Sequence, residues 1–141
     1  MDWPVAWFNL WHLAIAYILA LPVAFDREKV SQSAGLRTFP MVAIAACGYT
    51  LVGMGMLDST DAEARVIQGV ITGIGFIGGG AILKNRGSVS GMATAASIWT
   101  TGLIGIAVAT DRIEIAAILS AITFATMHVG RQLKSTISDS D

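Results

Sequence analysis

The sequence predicts an all-α membrane protein, a bundle of about five transmembrane helices with the N-terminus outside and the C-terminus cytoplasmic. Three observations carry that prediction. Hydrophobic residues fill 54% of the 141 positions and charged residues only 13%, well below the roughly 25% charge usual in soluble domains. Five apolar stretches come close to or reach the ~17–25 residues a bilayer span needs. The charges fall between those stretches, and the basic ones gather on alternate connectors.

The first stretch runs from about Pro4 to Phe25, with Trp3, Trp7 and Trp11 near its start, as in an interfacial aromatic belt. It has no basic residue before Arg27 and is too long for a cleaved signal peptide, so it reads as a retained helix. The second covers about Phe39 to Leu57. Thr38 stands where an N-cap would, and Pro40 falls in the first turn, where proline is tolerated. The third is Val66 to Leu83, ending at Lys84, and the fourth is about Ala93 to Ala109. The fifth, Ile113 to Val129, follows the short connector "TDR", which predicts a tight hairpin with the fourth. Residues 1–130 make up the transmembrane domain and residues 131–141 a short polar cytoplasmic tail, whose last stretch, "STISDSD", reads as disordered.

Orientation follows from the basic residues. Arg27, Lys29, Arg37, Lys84, Arg86, Arg131 and Lys134 fall on one side, and only Arg65 and Arg112 on the other, beside Asp58, Asp61, Glu63, Asp111 and Glu114. The basic side is the cytoplasmic side. A net charge of −1 offers no electrostatic footprint for nucleic acid. The single cysteine, Cys47, excludes an internal disulfide and a cysteine-built metal site, and within an apolar run it reads as a small core residue.

The stretch "TGIGFIGGGAILK" contains Gly73-x-Gly75-x-x-Gly78, the spacing of a dinucleotide-binding turn. That turn needs a preceding strand and an acid ~20 residues later, and here the chain reads "TAASIW" inside apolar sequence. A phosphate-binding loop fails as well, because Leu83, not glycine, precedes Lys84. Membrane packing explains the glycines: Gly69/Gly73 and Gly75/Gly79 are small-xxx-small pairs, which let helix backbones approach closely. Gly78, Gly79 and Gly80 could instead unwind the helix at depth, as in transporter sites. Thr94, Ser97 and Thr101 share one face of the fourth stretch at helical spacing and, with Thr72 and Gln68, could form a polar seam. That seam is either interhelical packing or the lining of a path.

No Asp, Glu or His stands convincingly mid-span where a proton relay or ion pump would place one. His12 and His128 are far apart with no carboxylate at ligand spacing, so neither a metal nor a cofactor is expected, and no catalytic constellation appears. The loop "FDREKVSQSAGLRTF" concentrates Asp26, Arg27, Glu28, Lys29 and Arg37 beside Gly35. These charges either set topology and neutralise helix ends or form a functional cluster, with Thr38, that pairs with the Lys84/Arg86 loop or recruits a partner or ion. The functional form expects Arg37 close to Asp26 and Glu28.

Three blocks, "DRE…AGLRT" (26–38), "RVIQGVITGIGFIGGGAILK" (65–84) and "GMATAASIWTTGLIG" (91–105), resemble the MgtC/SapB family of bacterial membrane proteins across nearly the whole chain. The resemblance draws Gly91 and Trp99 into the candidate set. It implies a bundle of about five helices in the inner membrane and a regulatory or adaptive role in growth at low magnesium. Such a role would be exerted through contacts with a second copy or another membrane protein, and the resemblance alone brings in the F-type ATP synthase as a partner. Asp26 stands where glutamate is usual, Gly79 where alanine is usual, and Ala93 and Thr100 where one branch has asparagine and cysteine. The soluble C-terminal domain of longer members has no counterpart here. The alternative reading is a small cation transport or channel protein, with Thr72, Thr94, Ser97 and Thr101 lining a path and Arg37 at its inner mouth.

Overall fold

The computed structural model describes residues 2–30, 34–57, 59–85 and 88–138. Asp58 and Arg86 of the loop charges, and residues 139–141 of the tail, lie outside the described residues. Five helices follow in order: α1 (Trp3–Glu28), α2 (Thr38–Met56), α3 (Thr60–Gly80), α4 (Met92–Ala109) and α5 (Ile113–Ser138). A small antiparallel hairpin, β1 (Leu83–Asn85) and β2 (Ser88–Ser90), joins α3 to α4 and pairs Leu83 with Ser90 and Lys84 with Val89.

Four of these helices are long and apolar enough to cross a membrane: α1, α2, α4 and residues 113–133 of α5. The third differs. It starts at Thr60, six residues before the expected Val66, because Ser59 accepts a hydrogen bond from the Ala62 amide and Asp61 and Glu63 sit in the first turn, where the helix dipole favours acids. Its first turns are therefore charged. Its end also differs from expectation: the glycine run stays helical to Gly80, Ala81 N–H closes on Gly78 O, and Lys84 lies on β1. The fifth helix continues to Ser138, well past Val129 and into the expected tail. At α2, the N-cap position belongs to Arg37, and Thr38 is the first helical residue, with no side-chain cap. The amides of Thr38 and Phe39 reach back to Gly35 O instead.

α4 is the centre of the bundle. Thr94, Ala95, Ser97, Ile98, Thr101, Gly102 and the run Ile104–Ala109 are all buried. Helices in a bilayer gain no hydrophobic drive from one another, so they associate through close packing. Two glycines of α4 supply it. A Cβ on Gly102 would overlap Ile74 of α3, and one on Gly105 would overlap the Ala43 carbonyl of α2, with Ala46 Cβ and Cys47 N each at 3.0 Å. α1 lays Ala16, Ala20, Val23 and Ala24 against the core, which also contains Cys47, Ile104, Val108 and Ala116. At α4's start, Gly91 has φ +88°, and a side chain there would meet the Ala81 carbonyl.

The expected close-packing face of α3 is open. A Cβ placed on Gly69, Gly73, Gly75, Gly79 or Gly80 would have nothing within 4 Å, and among the α3 glycines only one on Gly78 would meet the bundle, 3.1 Å from Ala95 O. Within one chain the close approach lies in α4, because α3 buries only Ile74 and Gly78.

Gly102→Leu and Gly105→Leu should each lower stability by about 1–3 kcal/mol or more by overpacking. Gly73→Leu and Gly75→Leu should leave the thermal unfolding midpoint of the detergent-solubilised monomer unchanged. Melting curves of the four variants check this contrast.

Candidate functional site

One end of the bundle holds a buried ionic cluster. The last turn of α1 carries Asp26 and Arg27, whose side chains are 1% and 6% exposed. Charged side chains are almost never buried this deeply without partners. Asp26 Oδ2 accepts from Arg27 Nη2 at 2.7 Å and from Arg27 Nε at 3.2 Å. α5 supplies the other half, because His128 and Arg131 are three residues apart and share a helix face. Arg131 Nη2 lies 2.8 Å from Asp26 Oδ1, and His128 Nδ1 lies 3.4 Å from it. Neither approach has hydrogen-bond angles, so Oδ1 is buried with charge contacts alone, and Arg131 Nη1 is buried without a hydrogen bond. The same Arg131 Nη2 is 3.1 Å from His128 Nδ1, and Phe124 stacks on the imidazole with ring centroids 5.6 Å apart. One carboxylate, held by Arg27 of its own helix, therefore ties the end of α1 to α5 through the Arg131 guanidinium.

The remaining loop residues do other work. Glu28 Oε2 accepts from the Leu36 amide at 2.8 Å, and Gly35 leaves the room for it: a Cβ there would overlap Glu28. This contact ties the α1–α2 loop back onto α1. Arg37 is exposed and forms no ion pair with Asp26 or Glu28 among the described residues. The expected grouping of Asp26, Glu28 and Arg37 is therefore replaced by one of Asp26, Arg27, His128 and Arg131. Thr38 lines a cavity of about 200 Å³ with Ile77, Gly80, Ala81, Leu83 and Ile98.

The polar seam is absent as an interhelical feature among the described residues. Ser97 Oγ donates to Thr94 O at 2.9 Å and Thr101 Oγ1 to Ser97 O at 2.8 Å, both within α4. Thr72, on the exposed side of α3, donates to Gln68 O at 2.8 Å. Buried Ser and Thr hydroxyls satisfied by their own helix need no partner across the interface. Thr94, Ser97 and Thr101 face the core, whereas Trp99 points outward and is 52% exposed. A second cavity, about 150 Å³, opens between α2 and α3 beside Gly73, lined by Val42, Ala46, Tyr49, Val70 and Ile77.

Sequence reasoning placed His128 and Arg131 outside the site, one as an interfacial histidine and the other as a topology charge. Their i, i+3 spacing was the available signal. Nothing local announces that the end of α5 meets the end of α1.

Comparison with known proteins decides the family. The MgtC family model matches residues 13–136, nearly the whole chain. The chain belongs to the MgtC family. Protein SrpB of Synechococcus elongatus is 29% identical over 91% of this chain and 78% of its own length. Protein MgtC of Brucella abortus is 31% identical, covering 86% of this chain and 50% of the relative. The Escherichia coli K12 protein named "Putative magnesium transporter YhiD" is 30% identical over 86% of this chain and 60% of its own. This MgtC-family chain thus spans half to about four-fifths of these relatives. No solved structure matches it.

Removing one partner from a buried ion pair leaves an uncompensated charge and costs about 3–5 kcal/mol. Asp26→Ala should lose that much and Arg131→Ala somewhat less, since Arg27 remains paired. Arg37→Ala should stay within about 0.5 kcal/mol. Denaturant titration of the three variants in detergent micelles measures the ranking.

Proposed function

We propose that this chain is a multi-pass protein of the bacterial inner membrane, N-terminus outside, that supports growth under magnesium limitation by contact with membrane proteins rather than by catalysis. The observation that carries this reading is the uncovered face of α3. Five of its glycines are open, while Phe76 is 85% and Ile77 49% exposed. α3 is also missing from the helices apolar enough to span unaided. A glycine-rich face offers lipid little dispersion contact, but it lets a second helix come close. Partners that fit are a second copy of the chain or another membrane protein; the F-type ATP synthase enters only through the family resemblance.

The magnesium connection rests on the names of the relatives, and the orientation rests on the basic residues gathered at the Asp26 end. Transport of a small cation is the second reading, favoured by the name of the Escherichia coli relative. Against it, the hydroxyls of Ser97 and Thr101 are turned back onto their own helix and line no path.

Gly73→Leu and Gly75→Leu should fold normally yet lose cross-linking through α3 in native membranes and lose growth at limiting magnesium. Retention of both by both variants would sink the contact reading. Proteoliposomes loaded with a Mg²⁺ indicator address the rival: protein-dependent flux supports transport, and its absence retires it.

A further inference from the structure

At the opposite end of α1 from Asp26, a second polar tie involves two residues that the proposed function does not use. His12 is 3% exposed and is the first buried residue of α1; everything from Asp2 to Trp11 is exposed or half-buried. Its Nδ1 lies 2.8 Å from the Phe8 carbonyl, and the Phe8 ring lies against it with centroids 4.0 Å apart. Its Nε2 lies 2.9 Å from Asp111 Oδ1, in the turn between α4 and α5.

The turn shows why an aspartate there needs explaining. α4 ends in a Schellman arrangement: Arg112 N–H reaches Ala107 O at 2.8 Å, and Asp111 N–H reaches Val108 O at 3.1 Å. That motif places one residue in the left-handed region, a position glycine usually fills. Here it is Asp111, with φ +57°, the one non-glycine residue with positive φ among those described. Aspartate tolerates this region better than most side chains, and placed here its carboxylate meets His12, 99 residues away in sequence.

The protonation chemistry of the pair follows from its neighbours. A carbonyl oxygen and an ionised carboxylate both only accept hydrogen bonds, whereas a neutral imidazole has one donor and one acceptor. With both ring nitrogens facing acceptors, both contacts are satisfied together when His12 carries two protons. Among the described residues, Asp111 is the charged group that acts on the ring. Arg112 and Glu114, nearby on the hairpin and exposed, pair with each other at 2.7 Å. The Asp111 side chain is 68% exposed, so the pair is open to protons from the aqueous side.

We infer that His12 and Asp111 form a proton-dependent latch that holds the N-terminal arm of α1 to the α4–α5 hairpin. It is closed while the imidazole is doubly protonated and Asp111 ionised. As pH rises the ring gives one proton to water: its charge is lost, and one ring nitrogen turns a lone pair toward an acceptor. The tie to Asp111 falls from a charge-assisted pair to at most a neutral hydrogen bond, which loosens the arm bearing Trp3, Trp7 and Trp11. An unperturbed imidazole titrates near pH ~6.5, which makes histidine the side chain for a switch in this range. The inference is independent of the α3 contact face. With the orientation proposed above, the sensed compartment is the external one.

Spin labels at Val5→Cys and Ile118→Cys, in a Cys47→Ala background in lipid nanodiscs, report the distance from the arm to α5. The expected result is a narrow distribution at pH 5.5 that broadens by pH 8. Asp111→Gly keeps the turn, and with it the thermal midpoint at pH 8, but should be broad at both pH values. His12→Gln should show no pH dependence. An unchanged wild-type distribution across this range overturns the latch. So does an Asp111→Gly protein that responds to pH as wild type does, because another group would then be the sensor. Growth at low magnesium is not the readout, so failure here is distinguishable from failure of the contact reading.

Discussion

Gly105 lets the backbone of α4 come against the Ala43 carbonyl and the Cys47 amide of α2 more closely than any side chain would permit, and Gly102 gives the same access to Ile74 of α3. The rest of the bundle is arranged around these two approaches. Because lipid tails are as apolar as leucine, helices in a bilayer need close van der Waals contact to associate. α4 achieves that on several sides and becomes the axis, with Ile98, Ile104 and Val108 almost wholly buried. Its hydroxyl residues fit the same constraint. Ser97 and Thr101 are completely buried and spend their donors on their own helix, so they pack as small residues and leave no polar atom for a neighbour to satisfy.

Much of this was legible in the sequence, and the remainder failed for identifiable reasons. Apolar length and loop charge predicted five helices in nearly the right places, because both signals are local and additive along the chain. The role of the glycines was misplaced because small-xxx-small spacing says that a face can be approached, not which helix approaches it. α3 shows the denser pattern, yet the contacts within the chain fall on the sparser pair in α4. The hairpin of β1 and β2 went unseen, because the residues after Leu83 read only as a charged connector between spans and two three-residue strands carry too little periodicity to stand out. At the ionic cluster, the sequence groups Asp26 and Arg27 with Glu28, Lys29 and Arg37 and leads to Arg37 as the expected partner of the acids. It could not supply Arg131, because 105 positions separate that residue from Asp26 and only the docking of α5 on α1 joins them.

α3 is the outlying element in this arrangement. It buries Ile74 and Gly78 fully, packs Ile67 and Val70 partly against the core, and leaves its glycine face open. Its charged start, Asp61 and Glu63 after the Ser59 cap, is a well-formed helix N-terminus, so α3 is secure as a helix without being strongly held by the bundle. A well-formed helix with an open face is suited to meeting a partner, since little rearrangement precedes the contact.

The polar ties at the two ends of α1 set a length scale that the bilayer must meet. His12 and Asp26 are fourteen residues apart on one helix, or about 21 Å at ~1.5 Å per residue. The hydrocarbon core of a typical bilayer is about 30 Å thick. Asp111, Arg112 and Glu114 are all exposed at the His12 level, and exposed charges belong at the aqueous boundary. A stretch shorter than the hydrocarbon core is matched to a bilayer by tilt, by local thinning or by snorkelling of the flanking side chains. The arm beyond His12 carries Trp3, Trp7 and Trp11, each about two-thirds exposed, and indole rings favour the headgroup layer. Those rings then rest at the surface on an arm that extends past the rest of the bundle, and the His12–Asp111 contact is the first buried point that fixes its angle.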